Sequence, residues 1–143
     1  MSDTDPTGLR KIAPPGLAPG PGYSHAVSAD VPGRLVAVSG QVALDAAGNL
    51  VGPGDLAVQT RQVLANLHAA LAAADADWRH VIKLGYYLRD AEQVAVVRAV
   101  RDEIVPPGFA PASTLVEVSR LFRDDLLVEI DALAVVPIAP ARD

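Results

Sequence analysis

Glu129 stands in the run LLVEIDALAVV and Glu117 in TLVEVSRL, each a carboxylate inside an otherwise apolar stretch. Buried as a lone charge, either would cost several kcal/mol. Glu129 therefore has two readings. It has an arginine partner or a solvated edge, or it sits at a cleft with a raised pKa and works as an acid/base. For Glu117 the partnered or solvated reading is the expectation. The other residue types narrow the chemistry. The chain has no cysteine, which removes thiolate nucleophiles, disulfides and zinc-thiolate sites. His25, His68 and His80 are not spaced as a metal site, and His68 and His80 read as surface or packing residues. Gly48, Gly52 and Gly54 are separated by Asn and Pro and read as turns, not as a phosphate loop. No nucleophile-elbow motif is present.

The elements that would position these residues follow from hydrophobic spacing. Asp55 can cap a helix in which Leu56, Val63, Leu67, Leu71 and Ala74 share one stripe, with Gln59, Gln62, Asn66 and Ala69 mostly away from it. His80–Arg89 alternates as a strand, with Ile82, Leu84, Tyr86 and Leu88 on one face and Val81, Lys83, Gly85 and Tyr87 on the other. Asp90 and Gln93 have capping-box spacing ahead of a second helix with Val94, Val97, Val100 and Ile104 inward. Pro106-Pro107-Gly108 must stop it. Ser113–Leu121 and Leu126–Val136 are strands joined by a turn at Arg123-Asp124-Asp125. Upstream, Tyr23–Ala29 and Arg34–Ser39 read as a hairpin across Asp30-Val31-Pro32-Gly33. The order is ββαβαββ. Two helices cannot cover both faces of such a sheet, so the apolar remainder (Leu127, Leu133, Val135) is expected to meet another subunit.

A length of 143 residues suits one domain, which can bury about two-thirds of the surface that the unfolded chain exposes. Residues 1–22 are rich in proline and glycine (Pro6, Pro14, Pro15, Pro19 and Pro21 among them) and are expected to be an extended or disordered arm. Residues 23–143 then form the single domain. Twelve Lys and Arg against 17 Asp and Glu give a net charge of −5, which disfavours nucleic acid and anionic membrane as partners. No targeting segment is recognisable, and no apolar run approaches the ~20 residues that span a bilayer. The expected location is cytoplasmic.

Four segments taken together, GYSHAV, VSGQVALDAAGNLVGPGDLAVQTRQVLANL, VIKLGYYLRD and PASTLVEVSRL with LLVEIDALAV, resemble the RidA/YjgF family of imine/enamine deaminases. The likeness covers about Gly22 to Val136. It implies a chorismate-mutase-like α+β fold: a mixed sheet with two helices on one face, assembled as a homotrimeric barrel with clefts between subunits. It also implies hydrolysis of small imines or enamines to 2-keto acids and ammonia, of the 2-iminobutanoate/2-iminopropanoate deaminase type, with no cofactor and no metal. Carried over residue by residue, Glu129 is the catalytic acid/base, and Tyr23, Ser39 and Gly40 line the substrate pocket.

One position departs. Ser113 stands where the family pattern PAR has the arginine that grips the substrate carboxylate, and Leu115 stands where many members have cysteine. Serine cannot replace a bidentate cation, and such a contact is worth roughly 1.5–3 kcal/mol. A substrate other than simple 2-aminoacrylate is therefore expected. Arg98, on the second helix, either reaches the cleft and restores some anion binding or lies on a solvated face near Asp102 or Glu103. His25, two residues after Tyr23, is a further candidate for pocket lining. The alternatives are a non-catalytic small-molecule-binding trimer and RNA cleavage, the latter opposed by the charge.

Overall fold

The computed structural model describes residues 7–20 and 22–138. Helix α1 (Leu56–Ala73) starts where expected: Asp55 is extended, and its carboxylate accepts the Val58 N–H at 3.1 Å. Val63, Leu64, Leu67 and Leu71 are fully buried, and so is Gln59, which hydropathy alone placed off the apolar stripe. Its amide is satisfied on every side. Nε2 donates to Gly52 O and Asp125 O at 3.1 and 3.0 Å, and Oε1 accepts the Leu127 N–H at 2.9 Å. A polar side chain with all its bonds made is stable in a core, and this one ties the loop before α1 to the start of the last strand.

The main sheet has four strands: β3 (Gly33–Gln41), β4 (Val81–Leu88), β5 (Ala112–Glu117) and β6 (Val128–Pro137), in the order β3-β6-β4-β5. Only β4 and β5 run parallel, joined through helix α2 (Val94–Ile104); β6 is antiparallel to both of its neighbours. Asp90 caps the short 3-10 turn Ala91–Gln93 that leads into α2. The expected capping box does not form: Asp90 accepts the Glu92 N–H, and Gln93 reaches the Asp90 carboxylate through its side-chain Nε2 at 3.0 Å. Both helices lie on one face, over Leu84, Leu88, Val128, Ile130 and the α1 leucines. The fold is the expected α+β arrangement.

Further details differ from the sequence reading: β5 ends at Glu117 where Leu121 was expected, and β6 starts at Val128 where Leu126 was expected. The hairpin between Tyr23–Ala29 and Arg34–Ser39 does not form. Strand β2 (Ala26–Ala29) pairs instead with β1 (Leu9–Ile12) in a separate two-stranded sheet, and β3 pairs with β6. The nine residues of β3 find a ten-residue partner in β6, whereas β2 has only four to offer. Strand β1 falls within the expected arm and is anchored by the buried Leu9; residues 1–6 and 21 lie outside the described residues. Finally, the pairing of β4 with β6 slips between Val81 and Lys83. One extra residue reverses the alternation, so Val81 joins the buried face that Ile82 was expected to share. The opposite face of the sheet carries the exposed Leu35, Val116 and Leu133.

Candidate functional site

Glu129 lies on that open face of β6. Its neighbour Ile130 is fully buried, and alternation along the strand turns Glu129 the other way. Across from it β3 bulges. Val38 pairs with Ala132 and Gln41 with Ile130, so Ser39 and Gly40 crowd opposite Asp131. The bulge brings Gly40 onto the Glu129 side chain, where a Cβ on residue 40 would stand 2.7 Å from Cδ and 3.0 Å from Oε2. The missing side chain is the space that the carboxylate uses. Asp131 is recessed in the same way against Gly85 of β4, and Tyr87 donates to Asp131 Oδ2 at 3.1 Å. Among the described residues, no hydrogen bond or ion pair reaches the Glu129 carboxylate. Partial burial, and then the charge of Asp131, push its pKa above the ordinary carboxylate value. The carboxyl therefore holds its proton more tightly than an exposed glutamate does, as a group that takes and returns protons must.

A second constellation lies on the helix side of the sheet, between β5 and α2. A cavity of about 190 Å³ is lined by Tyr23, Tyr86, Arg98, Arg101 and Ser113 over the apolar Val97 and Leu115. Tyr23 is held there by its neighbour: the Ser24 N–H donates to Pro111 O at 2.9 Å and Ser24 Oγ donates to Ala110 O at 2.6 Å. Arg101 is buried, with Nε and Nη2 both donating to one Asp102 oxygen at 3.1 and 2.9 Å. Gly22, at φ +74°, leaves room for its guanidinium. Arg98 is not paired with the carboxylates next to it: Asp102 serves Arg101, and Glu103 bonds Arg61 at 3.1 Å. Burial raises the pKa of the Tyr86 phenol, and the nearby Arg101 charge opposes that rise.

The expected site residues thus fall into two groups. Tyr23, Arg98 and Ser113 share the cavity, whereas Glu129, Gly40 and Ser39 lie together on the other face of the same sheet. His25 joins neither. Its Nε2 sits 2.6 Å from Ala18 O and its ring meets Tyr23 edge-on at 5.5 Å, in a hollow beneath residues 11–20. His80 accepts the Asp77 N–H through Nδ1 and is buried, while His68 is exposed against Trp78. Glu117 accepts the Ala91 N–H at 3.1 Å on an exposed edge. Arg101, Tyr86 and Asp131 were not singled out from sequence. The signals were present: Arg101 occupies the inner stripe of α2 four residues after Val97, and Asp131 follows Glu129 by two, on the same strand face. Among the described residues, no group of three or more His, Asp or Glu converges as a metal-ion site.

Residues 15–136 match the family model described as endoribonuclease L-PSP. The chain belongs to the RidA/YjgF family. Among curated family members, the RutC family protein slr0709 of Synechocystis is 38% identical over 130 residues, covering 89% of this chain and 97% of that protein. The 2-iminobutanoate/2-iminopropanoate deaminase of Bos taurus is 35% identical over 130 residues, covering 89% and 90%. The crystal structure of the Rid family protein YyfB from Yersinia pestis superposes with a TM-score of 0.82 at 36% identity, covering 89% of this chain and 98% of that one. RidA/YjgF membership thus rests on nearly the whole domain, and it includes relatives named as deaminases.

Proposed function

We propose that this protein hydrolyses imines, or enamines through their imine tautomers, in clefts between the protomers of a homotrimer. The observation that carries the reading is the Glu129 carboxylate, recessed against Gly40, unpaired among the described residues and raised in pKa by its surroundings. Such a group can take a proton from water as the water oxygen bonds the imine carbon, then pass that proton to the nitrogen. The C=N bond becomes the C–N bond of a carbinolamine, whose hydroxyl proton then moves through the same carboxylate to the nitrogen as the C–N bond breaks, and a ketone and ammonia leave. No redox partner is required. Tyr23, Ser39 and Gly40 shape the pocket.

Two features support a shared cleft. Glu129 and the Tyr23–Ser113 cavity lie on opposite faces of one sheet, so uniting them takes a second copy. The exposed Leu35, Val116 and Leu133 supply an apolar surface for that copy. A non-catalytic binding trimer would tolerate a glutamate locked to a cation, and among the described residues no cation pairs with Glu129. RNA cleavage, which the family description names, has little support in a chain with a net charge of −5. The deciding experiment is ammonia release from imines generated in situ by an amino-acid oxidase, compared with spontaneous hydrolysis. Acceleration on at least one imine upholds the reading, and background rates across small, bulky and neutral imines would end it. Because Ser113 carries no charge, the smallest 2-imino acids are expected to be poor substrates.

A further inference from the structure

Alternation along β4 puts Tyr86 on the helix side, where it is buried, and turns Tyr87 to the open face of the sheet. There Tyr87 is the cross-strand partner of Glu129, yet its hydroxyl donates to Asp131 Oδ2 at 3.1 Å. Asp131 in turn pairs across with Gly85. A Cβ at residue 85 would collide with Asp131 Oδ1 and stand 3.4 Å from the Tyr87 hydroxyl, so the glycine leaves the notch in which carboxylate and phenol meet. Glycine inside a strand marks such a close approach. Strand β4 thus supplies both a floor and a clasp for a second carboxylate, two residues from Glu129 and ~7 Å along the same face. At that range a unit charge still acts on its neighbour, and a few ångströms of movement into water would weaken it. The other charged side chains of the neighbouring strands are engaged elsewhere. Lys83 Nζ donates to Thr114 Oγ1 at 2.8 Å, Arg34 of β3 donates to Ala74 O at 2.7 Å, and Glu117 of β5 accepts the Ala91 N–H.

We infer that Tyr87 is a positioning residue for the proposed reaction: by fastening the Asp131 carboxylate into the Gly85 notch, its hydroxyl fixes the place from which that negative charge acts on Glu129. Without the clasp, Asp131 can turn off the sheet into water, and Glu129 loses a neighbour that helps it keep its proton. Tyr87 touches no reacting atom in this role; it acts on the acid/base through Asp131. The inference rests on the hydrolase reading only for its bearing on turnover, since the proton affinity of Glu129 can be read without substrate. Ring and hydroxyl have separate duties. The ring, directly across from Glu129, contributes to its burial, which is the larger cause of the raised pKa; the hydroxyl governs only the contribution of Asp131.

The test is a carboxyl NMR titration of Glu129 in the full chain, on wild type, Tyr87→Phe, Gly85→Ala, Asp131→Asn and the variant combining Tyr87→Phe with Asp131→Asn. Tyr87→Phe keeps the ring and removes the clasp, so the Glu129 midpoint should fall toward the ordinary carboxylate value without reaching it. Gly85→Ala fills the notch and should move the midpoint the same way. With Asp131→Asn in place, Tyr87→Phe should produce no further change, because its effect runs through Asp131. An unmoved midpoint in Tyr87→Phe would overturn the inference, even if that variant melts lower, because Tyr87 would then serve the fold alone. An equal fall in the Asp131→Asn background would overturn it too, since Tyr87 would then act on Glu129 directly. In the ammonia assay the acid limb of kcat/KM should move to lower pH in step with the midpoint. If the midpoints move as stated and no imine is hydrolysed, the clasp stands and the hydrolase reading falls. If imines are hydrolysed and the Tyr87→Phe midpoint is unmoved, the reverse holds.

Discussion

Gly40→Ala is the smallest change that touches the proposed acid/base without altering it. Residue 40 has no left-handed backbone requirement, so alanine costs nothing in conformation and restricts the unfolded chain, a gain of ~0.4–1 kcal/mol. The new Cβ would stand 2.7 Å from Glu129 Cδ and must push the carboxyl back by about 0.7 Å to reach ordinary contact. Turning the side chain off its rotamer costs ~0.5–1.5 kcal/mol. The two effects nearly cancel, so the melting temperature should move by no more than a few degrees. Catalysis should not escape so lightly. A misplacement of order 1 Å in a reacting group costs ~100-fold, and kcat/KM for ammonia release should fall by about that factor. Circular-dichroism melting and the ammonia assay on one preparation read both quantities. Full activity in Gly40→Ala would refute the placement of Glu129 at the reacting atoms. A collapse in stability would refute the claim that Gly40 serves the site and not the fold.

Other consequences are equally direct. Because burial, and then Asp131, raise the Glu129 pKa, the folded protein holds that proton more tightly than the unfolded chain. The stability owed to this group is full below the ordinary carboxylate value and is lost as pH rises through the raised one. Glu129→Gln should therefore melt above wild type at neutral pH and equal to it in acid; Asp131→Asn should lower the Glu129 pKa, as read by carboxyl NMR. Gln59→Ala removes three buried hydrogen bonds and should destabilise the fold by about 3 kcal/mol in urea unfolding. A loss below about 1 kcal/mol would show that water replaces them. Leu133→Lys places a charge on the open sheet face and should convert a species of three times 14.9 kDa to single chains in native mass spectrometry. A monomeric wild type would contradict the shared cleft.

Local spacing carried most of the architecture. Capping by Asp55, the α1 stripe, the alternation in β6 and that in β4 from Leu84 onward are set by neighbours in sequence, and they stand as expected. What spacing could not carry was partner choice. Strand β3 prefers β6 to β2 because a long apolar partner outweighs a short turn, a contest between segments about a hundred residues apart. The bulges at Ser39–Gly40 and at Ile82 are invisible to a period of two, and the first of them brings Gly40 onto Glu129. Gln59 and Arg101 show the complementary gap. Hydropathy assigns polar residues to the surface, and both are buried because specific oxygens, on Gly52, Asp125 and Asp102, are there to receive their N–H groups. Glu129 stood out in the sequence because its polarity interrupts a strand; Asp131 carries the same signal two residues on.

The central claim is that Glu129 moves the proton in imine hydrolysis, and the direct measurement is single-turnover ammonia release by wild type and Glu129→Gln at matched folded concentration. The glutamine keeps the shape and the recess against Gly40 but can neither accept nor return a proton. The account predicts that release falls at least ~100-fold, toward the spontaneous rate, with the oligomer intact. Turnover by Glu129→Gln equal to that of wild type would contradict it.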